Sequence, residues 1–158
     1  MKLEKRANRN NVQFTEKEMK LATKIIEEIE KPVEILYYLL ERQSERAFVI
    51  MLISSEDIDL LQLLKKEKRD TDLLYEIDKE NDLYAMVCQE TQVDGGFHFA
   101  ERLMRNIILG NGRNIYCAEL EIRTTKYSVR NVIIKLIDTY FEAYAKDKKD
   151  EIIFRSIY

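Results

Sequence analysis

The chain has 158 residues, of which 46% are hydrophobic and 35% charged, and its formal net charge is -3. That length and apolar content suit one domain with a real core. The acidic balance argues against a dedicated nucleic-acid binder, which would carry a basic face. No apolar run approaches the ~18 residues that would span a bilayer. The opening Met1-Lys2-Leu3-Glu4-Lys5-Arg6 is charged and lacks the apolar segment of a signal peptide. A cytoplasmic protein without direct membrane insertion is therefore expected.

Residues 1–45 divide into a polar leader, Lys2 to Asn11, and a helical segment. Thr15 is a candidate N-cap, and Glu18 falls where it completes a capping box. Leu21, Ile25, Ile26 and Ile29 follow at helical spacing. Pro32 marks a break or a new start, and Val33, Leu36, Tyr37 and Leu40 continue the pattern to about Gln43. The two pieces form one kinked helix or a hairpin.

Residues 46–158 read as the folded domain. Ala47 to Ile53 is a continuous, β-branched apolar run, the mark of a central strand covered on both faces. Ser54, Ser55 and Asp57 end it and can cap a short helix carrying Leu60, Leu61, Leu63 and Leu64. Leu73 to Ile77 and Leu83 to Cys88, joined by Asp78-Lys79-Glu80-Asn81-Asp82, suit a hairpin. Asp94-Gly95-Gly96 reads as a loop leading into a helix from Phe97 to Leu109, which Gly110-Asn111-Gly112 stops. A strand over Ile115 to Ile122, a long helix over Ser128 to Lys146 and a short strand over Glu151 to Phe154 complete the order β-α-β-β-α-β-α-β. The predicted fold class is α/β, an α+β sandwich with a mixed sheet of about five strands flanked by helices.

Catalytic chemistry is hard to place. His98 is the single histidine, and no G-x-S-x-G elbow exists; its place just inside a helix start suits a structural role. One histidine and the two separated cysteines, Cys88 and Cys117, supply no recognisable metal-ligand set. Both cysteines sit in apolar runs and are expected to be buried thiols. Asp57 and Asp59 follow the first strand, where a nucleotide-handling site could hold Mg²⁺, but helix capping accounts for them. Neither a catalytic residue, a metal site nor a cofactor is predicted.

One constellation stands out. Arg69-Asp70-Thr71-Asp72 precedes the hairpin, and Arg102 and Arg105 lie on the helix that follows it. The guanidinium fork matches phosphate oxygens and the O6/N7 edge of guanine, while a carboxylate accepts from guanine N1–H and N2–H. An arginine and an aspartate three apart can thus hold a guanine edge. An exposed i, i+3 ion pair is the plainer alternative.

These segments resemble the diguanylate cyclase, or GGDEF, family. Leu63 to Leu74 looks like the approach to its signature hairpin. Phe99-Ala100-Glu101-Arg102-Leu103-Met104-Arg105 resembles its A-E-R-I-R helix, and Ile134 to Lys146 resembles its last helix. The similarity runs from Phe48 to Phe154. The resemblance implies a nucleotide-cyclase-like, mainly antiparallel sheet. The departures imply lost catalysis. Asp78 to Asp82 replaces the glycine-bearing hairpin, and Ser54 to Lys68 is too short for the family's metal and guanine elements. The chain then looks like a degenerate, inactive GGDEF domain, similar to the GGDEF-like domains of the Pel-system c-di-GMP receptors. What survives by resemblance is the inhibitory R-x-x-D site. Arg69 and Asp72 would hold c-di-GMP, with Arg102 or Arg105 as the second basic group. A ligand-independent interaction or dimerisation domain is the alternative. A protein partner or homodimer through the N-terminal helices fits either.

Overall fold

The computed structural model describes residues 13–43 and 46–158; the predicted polar leader lies outside them. The order is α1 (Glu16–Glu41), β1 (Phe48–Glu56), α2 (Leu60–Glu67), β2 (Asp72–Asp78), β3 (Leu83–Cys88), α3 (Val93–Leu109), β4 (Arg113–Ile122), α4 (Val129–Ala145) and β5 (Glu151–Ile157). The strands form one sheet in the order β2-β3-β1-β4-β5. Every pairing is antiparallel except β4 with β5. The α+β sandwich with a five-stranded mixed sheet is as expected.

β1 sits at the centre, and its apolar run is buried on both faces. Phe48, Ile50 and Leu52 point into a core closed by α1 and α4; Val49, Met51 and Ile53 point into a second core closed by α2 and α3. This is why the run does not alternate with polar residues. Among the described residues no helix is long and apolar enough to cross a membrane.

α1 is one helix, which settles the choice left open at Pro32. Thr15 and Glu18 form the expected capping box, with Thr15 N–H donating to Glu18 Oε1 at 2.8 Å. An internal proline removes one helical hydrogen bond and costs about 3 kcal/mol in an isolated helix. Here Leu21, Ala22, Ile25, Ile29, Val33 and Leu36 are buried against the sheet and α4, and that burial outweighs the loss. α1 therefore shares a core with the rest of the fold. Of its large apolar residues, Met19, Ile35 and Tyr38 are exposed, and Arg42 covers the Tyr38 ring.

Two starts differ from the sequence reading. The N-cap of α2 is Asp59, which accepts from Gln62 N–H at 3.2 Å. Ser54 and Ser55 remain in β1, and Asp57 adopts a left-handed conformation at its end. α3 begins at Val93, four residues before Phe97, with Gly95 and Gly96 inside its first turns. A Cβ on Gly96 would lie 3.1 Å from both Val49 and Phe154. The glycine thus lets the helix approach the sheet.

Gln92, the N-cap residue of α3, makes no side-chain cap. The cap comes from β4 instead: buried Glu121 accepts from Val93 N–H at 2.7 Å and from Ser156 Oγ at 2.9 Å. A carboxylate at a helix N-terminus is favoured by both hydrogen bond and dipole. Glu121→Ala is expected to destabilise the protein by about 1–2 kcal/mol, read by urea unfolding, with hydrogen exchange rising first at Val93 to Gly96.

Candidate functional site

The end of α2 runs through Lys68 into the start of β2 and carries the predicted Arg69 and Asp72. Asp72 opens β2, directly opposite Cys88, and its side chain is 0% exposed. Burying a carboxylate requires charged or hydrogen-bonding partners, and Arg69 supplies several. Its backbone N–H donates to Asp72 Oδ2 at 2.8 Å, while Nε and Nη2 donate to Oδ1 at 3.1 and 2.8 Å. Nη2 also donates to the Gln89 carbonyl and to Thr91 Oγ1. Gln89 returns a bond from its amide to the Thr71 carbonyl. The R-x-x-D thus closes on itself and ties the start of β2 to the loop between β3 and α3.

Arg102 comes to the same end of α2. Its Nε lies 3.3 Å from Glu67 Oε2, Nη2 donates to the Glu67 carbonyl, and its guanidinium covers the Phe99 ring. Asn106 holds the other Glu67 oxygen. Arg105, one turn nearer the end of α3, is exposed and has no ion pair among the described residues. The fold brings Arg102 against Glu67, two residues from Arg69. His98, Glu101, Arg102 and Arg105 line one shallow groove, of which Arg69 and Asp72 are not lining residues. His98 is exposed and lies 3.2 Å from Glu101, so it is neither a core nor a cap residue.

A second cleft, not singled out by the sequence, lies where β1 ends beneath the β2–β3 turn. Glu56, Asp57, Asp82, Asn114, Tyr116 and Tyr140 are among its lining residues. Burial, followed by the charges of Asp59 and Glu56, raises the Asp82 carboxyl above the ordinary range. Ser54 Oγ and Tyr140 Oη are hydrogen-bonded at 2.7 Å, and Tyr116 donates to Asp147 at 2.8 Å. The signal for this cleft is the Tyr140/Tyr144 spacing, which puts both rings on one face of α4. The cleft disfavours a bare phosphate, because its charged lining is acidic.

The carboxylates around this cleft are engaged within the protein. Asp57 pairs with Arg113, whose Nε donates at 2.6 Å, and Glu56 accepts from Asn114 at 2.9 Å. Asp78 is turned into its own hairpin, accepting from Glu80 N–H and Asn81 Nδ2. Among the described residues no three histidine, cysteine, aspartate or glutamate side chains converge as ligands. The two cysteines are free and buried, and burial foremost pushes their thiols up; they are inert small hydrophobes.

No protein-family model matches the sequence, and no curated protein matches it. The fold does have solved counterparts. The diguanylate cyclase SiaD of Pseudomonas aeruginosa, in complex with its activator SiaC, superposes with a TM-score of 0.54 at 10% identity, over 77% of this chain. The chain spans 57% of that structure's length. The GGDEF domain of FimX from Pseudomonas aeruginosa superposes with a TM-score of 0.57 at 8% identity, over 81% of this chain and 93% of that one. At such identities the likeness concerns the fold. Sheet order, helix placement and these two counterparts agree that the chain has a GGDEF-like fold.

Proposed function

We propose that this chain is a non-catalytic regulatory domain that uses the GGDEF-like fold as a protein-interaction module. One contrast carries the reading. The polar groups at the end of β1 and of α2 are engaged by intramolecular partners, while uncovered apolar side chains flank α3 and β5. Leu109 is 75% exposed and Ile108 53%, and Phe97 is exposed beside them around one groove. Grouped apolar exposure of this kind marks a contact surface. SiaD, whose fold is similar, is bound to its activator SiaC, and a protein partner for this chain is consistent with that precedent. The hairpin tip holds no glycine between Asp78 and Asp82, so its backbone lacks the freedom to cradle a phosphate closely.

A second reading, c-di-GMP binding, is favoured by the delivery of Arg102 to the end of α2 near Arg69. In that reading Arg102 and Arg105 meet the ligand, while buried Asp72 acts by holding Arg69. Two assays separate the readings. Incubation with GTP and Mg²⁺ is expected to give no cyclic dinucleotide; product would sink the non-catalytic proposal. Calorimetry with c-di-GMP is expected to show no heat if protein contact alone is the function. Heat in the wild type that vanishes in Arg102→Ala and Arg105→Ala would establish the nucleotide reading instead.

A further inference from the structure

β5 is the last strand of the sheet and pairs only with β4 among the described strands. Open edges are usually blunted by bulges, prolines, lysines or a covering element. The opposite edge is managed in this way: β2 carries a register shift between Glu76 and Asp78, α1 packs along it, and Lys24 lies 3.6 Å from Asp78. Among the described residues β5 has no such device. Its pairing with β4 runs regularly from Glu151 to Ile157, and the strand contains no proline or lysine.

The hydrogen-bonding parity of the open edge follows from one contact. The Ile157 carbonyl accepts from Arg123 N–H, so it faces β4. Peptide groups alternate along a strand, which leaves those of Ile152, Phe154 and Ser156 facing outward. An antiparallel copy of β5 can meet them in several registers, and the side chains select one. With Ile153 on the two-fold axis, Ile152 and Phe154 of opposite copies form hydrogen-bonded pairs. In the same register Glu151 of each copy stands opposite Arg155 of the other. Both side chains are exposed and neither has an ion pair among the described residues.

We infer that β5 is a self-complementary docking edge, and that its occupant is the β5 strand of a second copy of this chain, paired antiparallel about Ile153. The two sheets then join into one. Because the axis stands perpendicular to the sheet, α3 of both copies lies on one face and α4 on the other. The apolar rim of Phe97, Ile108 and Leu109 beside the edge adds burial to the strand pairing. The inference rests on the interaction-domain reading and names its partner.

Sedimentation equilibrium on the whole chain tests it. The wild type is expected to associate reversibly into dimers. Glu151→Arg alone and Arg155→Glu alone should each weaken the dimer roughly tenfold, since two symmetry-related pairs become like-charged. The double variant E151R/R155E should restore it. Ile153→Cys sits at a non-hydrogen-bonded pair whose Cα spacing admits a disulfide, so oxidation should give a covalent dimer that reductant dissolves. Circular dichroism of each variant checks that the fold is kept. A monomer at every concentration, or a dimer indifferent to both reversals and without the cross-link in Ile153→Cys, overturns the edge pairing. GTP turnover by the same preparations would overturn the non-catalytic reading alone, whereas a monomer without turnover would overturn the dimer alone.

Discussion

Replacing Asp72 by alanine is expected to destabilise the protein by about 3 kcal/mol, measured by urea unfolding at neutral pH. The Asp72 carboxylate is wholly buried and accepts three bonds from Arg69. Removing it strands the Arg69 guanidinium between Gln89 and Thr91 and leaves a hole opposite Cys88. Arg69 is itself 48% exposed, so water recovers part of its solvation and the loss stays below that of a fully buried pair. Asp72→Asn keeps the shape and loses the charge, and about 1–2 kcal/mol is expected. Arg69→Ala should cost about as much as Asp72→Ala, because it abandons a buried carboxylate. The double variant should cost less than the sum of the two, the mark of a coupled pair. Losses that add in the double variant would show that the clamp is not a unit. The result bears directly on function: a ligand that needed the Asp72 carboxylate would have to open this clamp first.

What the sequence makes legible follows from how local each cause is. The capping box of α1 lies within four residues, and the buried β1 announces itself as an uninterrupted apolar run. The hairpin is legible from a polar pentapeptide between two apolar segments. The i, i+3 pairing of Arg69 with Asp72 is also within reach, as the plainer alternative. Its burial is not, because the groups that complete it, Gln89 and Thr91, belong to another loop. α3 is the same lesson in reverse. Glycines read as loop when judged by propensity, yet here they permit close packing, and the cap arrives from Glu121, 28 residues away. Pro32 reads as a break for the same reason, since the burial that holds α1 together lies in other elements. The tyrosine cleft at the end of β1 gathers residues from both ends of the domain, and the Tyr140/Tyr144 spacing displays only one wall of it.

Glu119→Met is expected to stabilise the protein by about 2–3 kcal/mol at neutral pH. Glu119 lies in the middle of β4, opposite Met51 and beside Phe154. It is 0% exposed. Neither carboxyl oxygen has a hydrogen-bond partner, and one lies under the first turns of α3, 3.3 Å from where a Gly96 side chain would begin. The neighbouring titratable groups are the Cys88 and Cys117 thiols, themselves held protonated. Glu121, on the same face, is committed to the α3 cap. No cation meets Glu119, so burial alone lifts its pKa well above the usual 4.5. The sign follows from proton counting. Above the unfolded value the unfolded chain releases this proton while the native state keeps it, so stability falls as pH rises, by up to about 1.4 kcal/mol per pH unit. The fall continues until the native pKa is reached. Below the unfolded value the penalty of ionisation is absent, and only the smaller cost of the unpartnered neutral carboxyl remains. Methionine matches the volume and carries no proton, so the stability difference between Glu119→Met and wild type should be smallest near pH 4 and widen steadily toward neutrality. Glu119→Gln should also remove the pH dependence, with a smaller gain, because its amide remains unpartnered. A difference that stays constant from acid to neutral pH would mean that Glu119 is solvated or paired in solution.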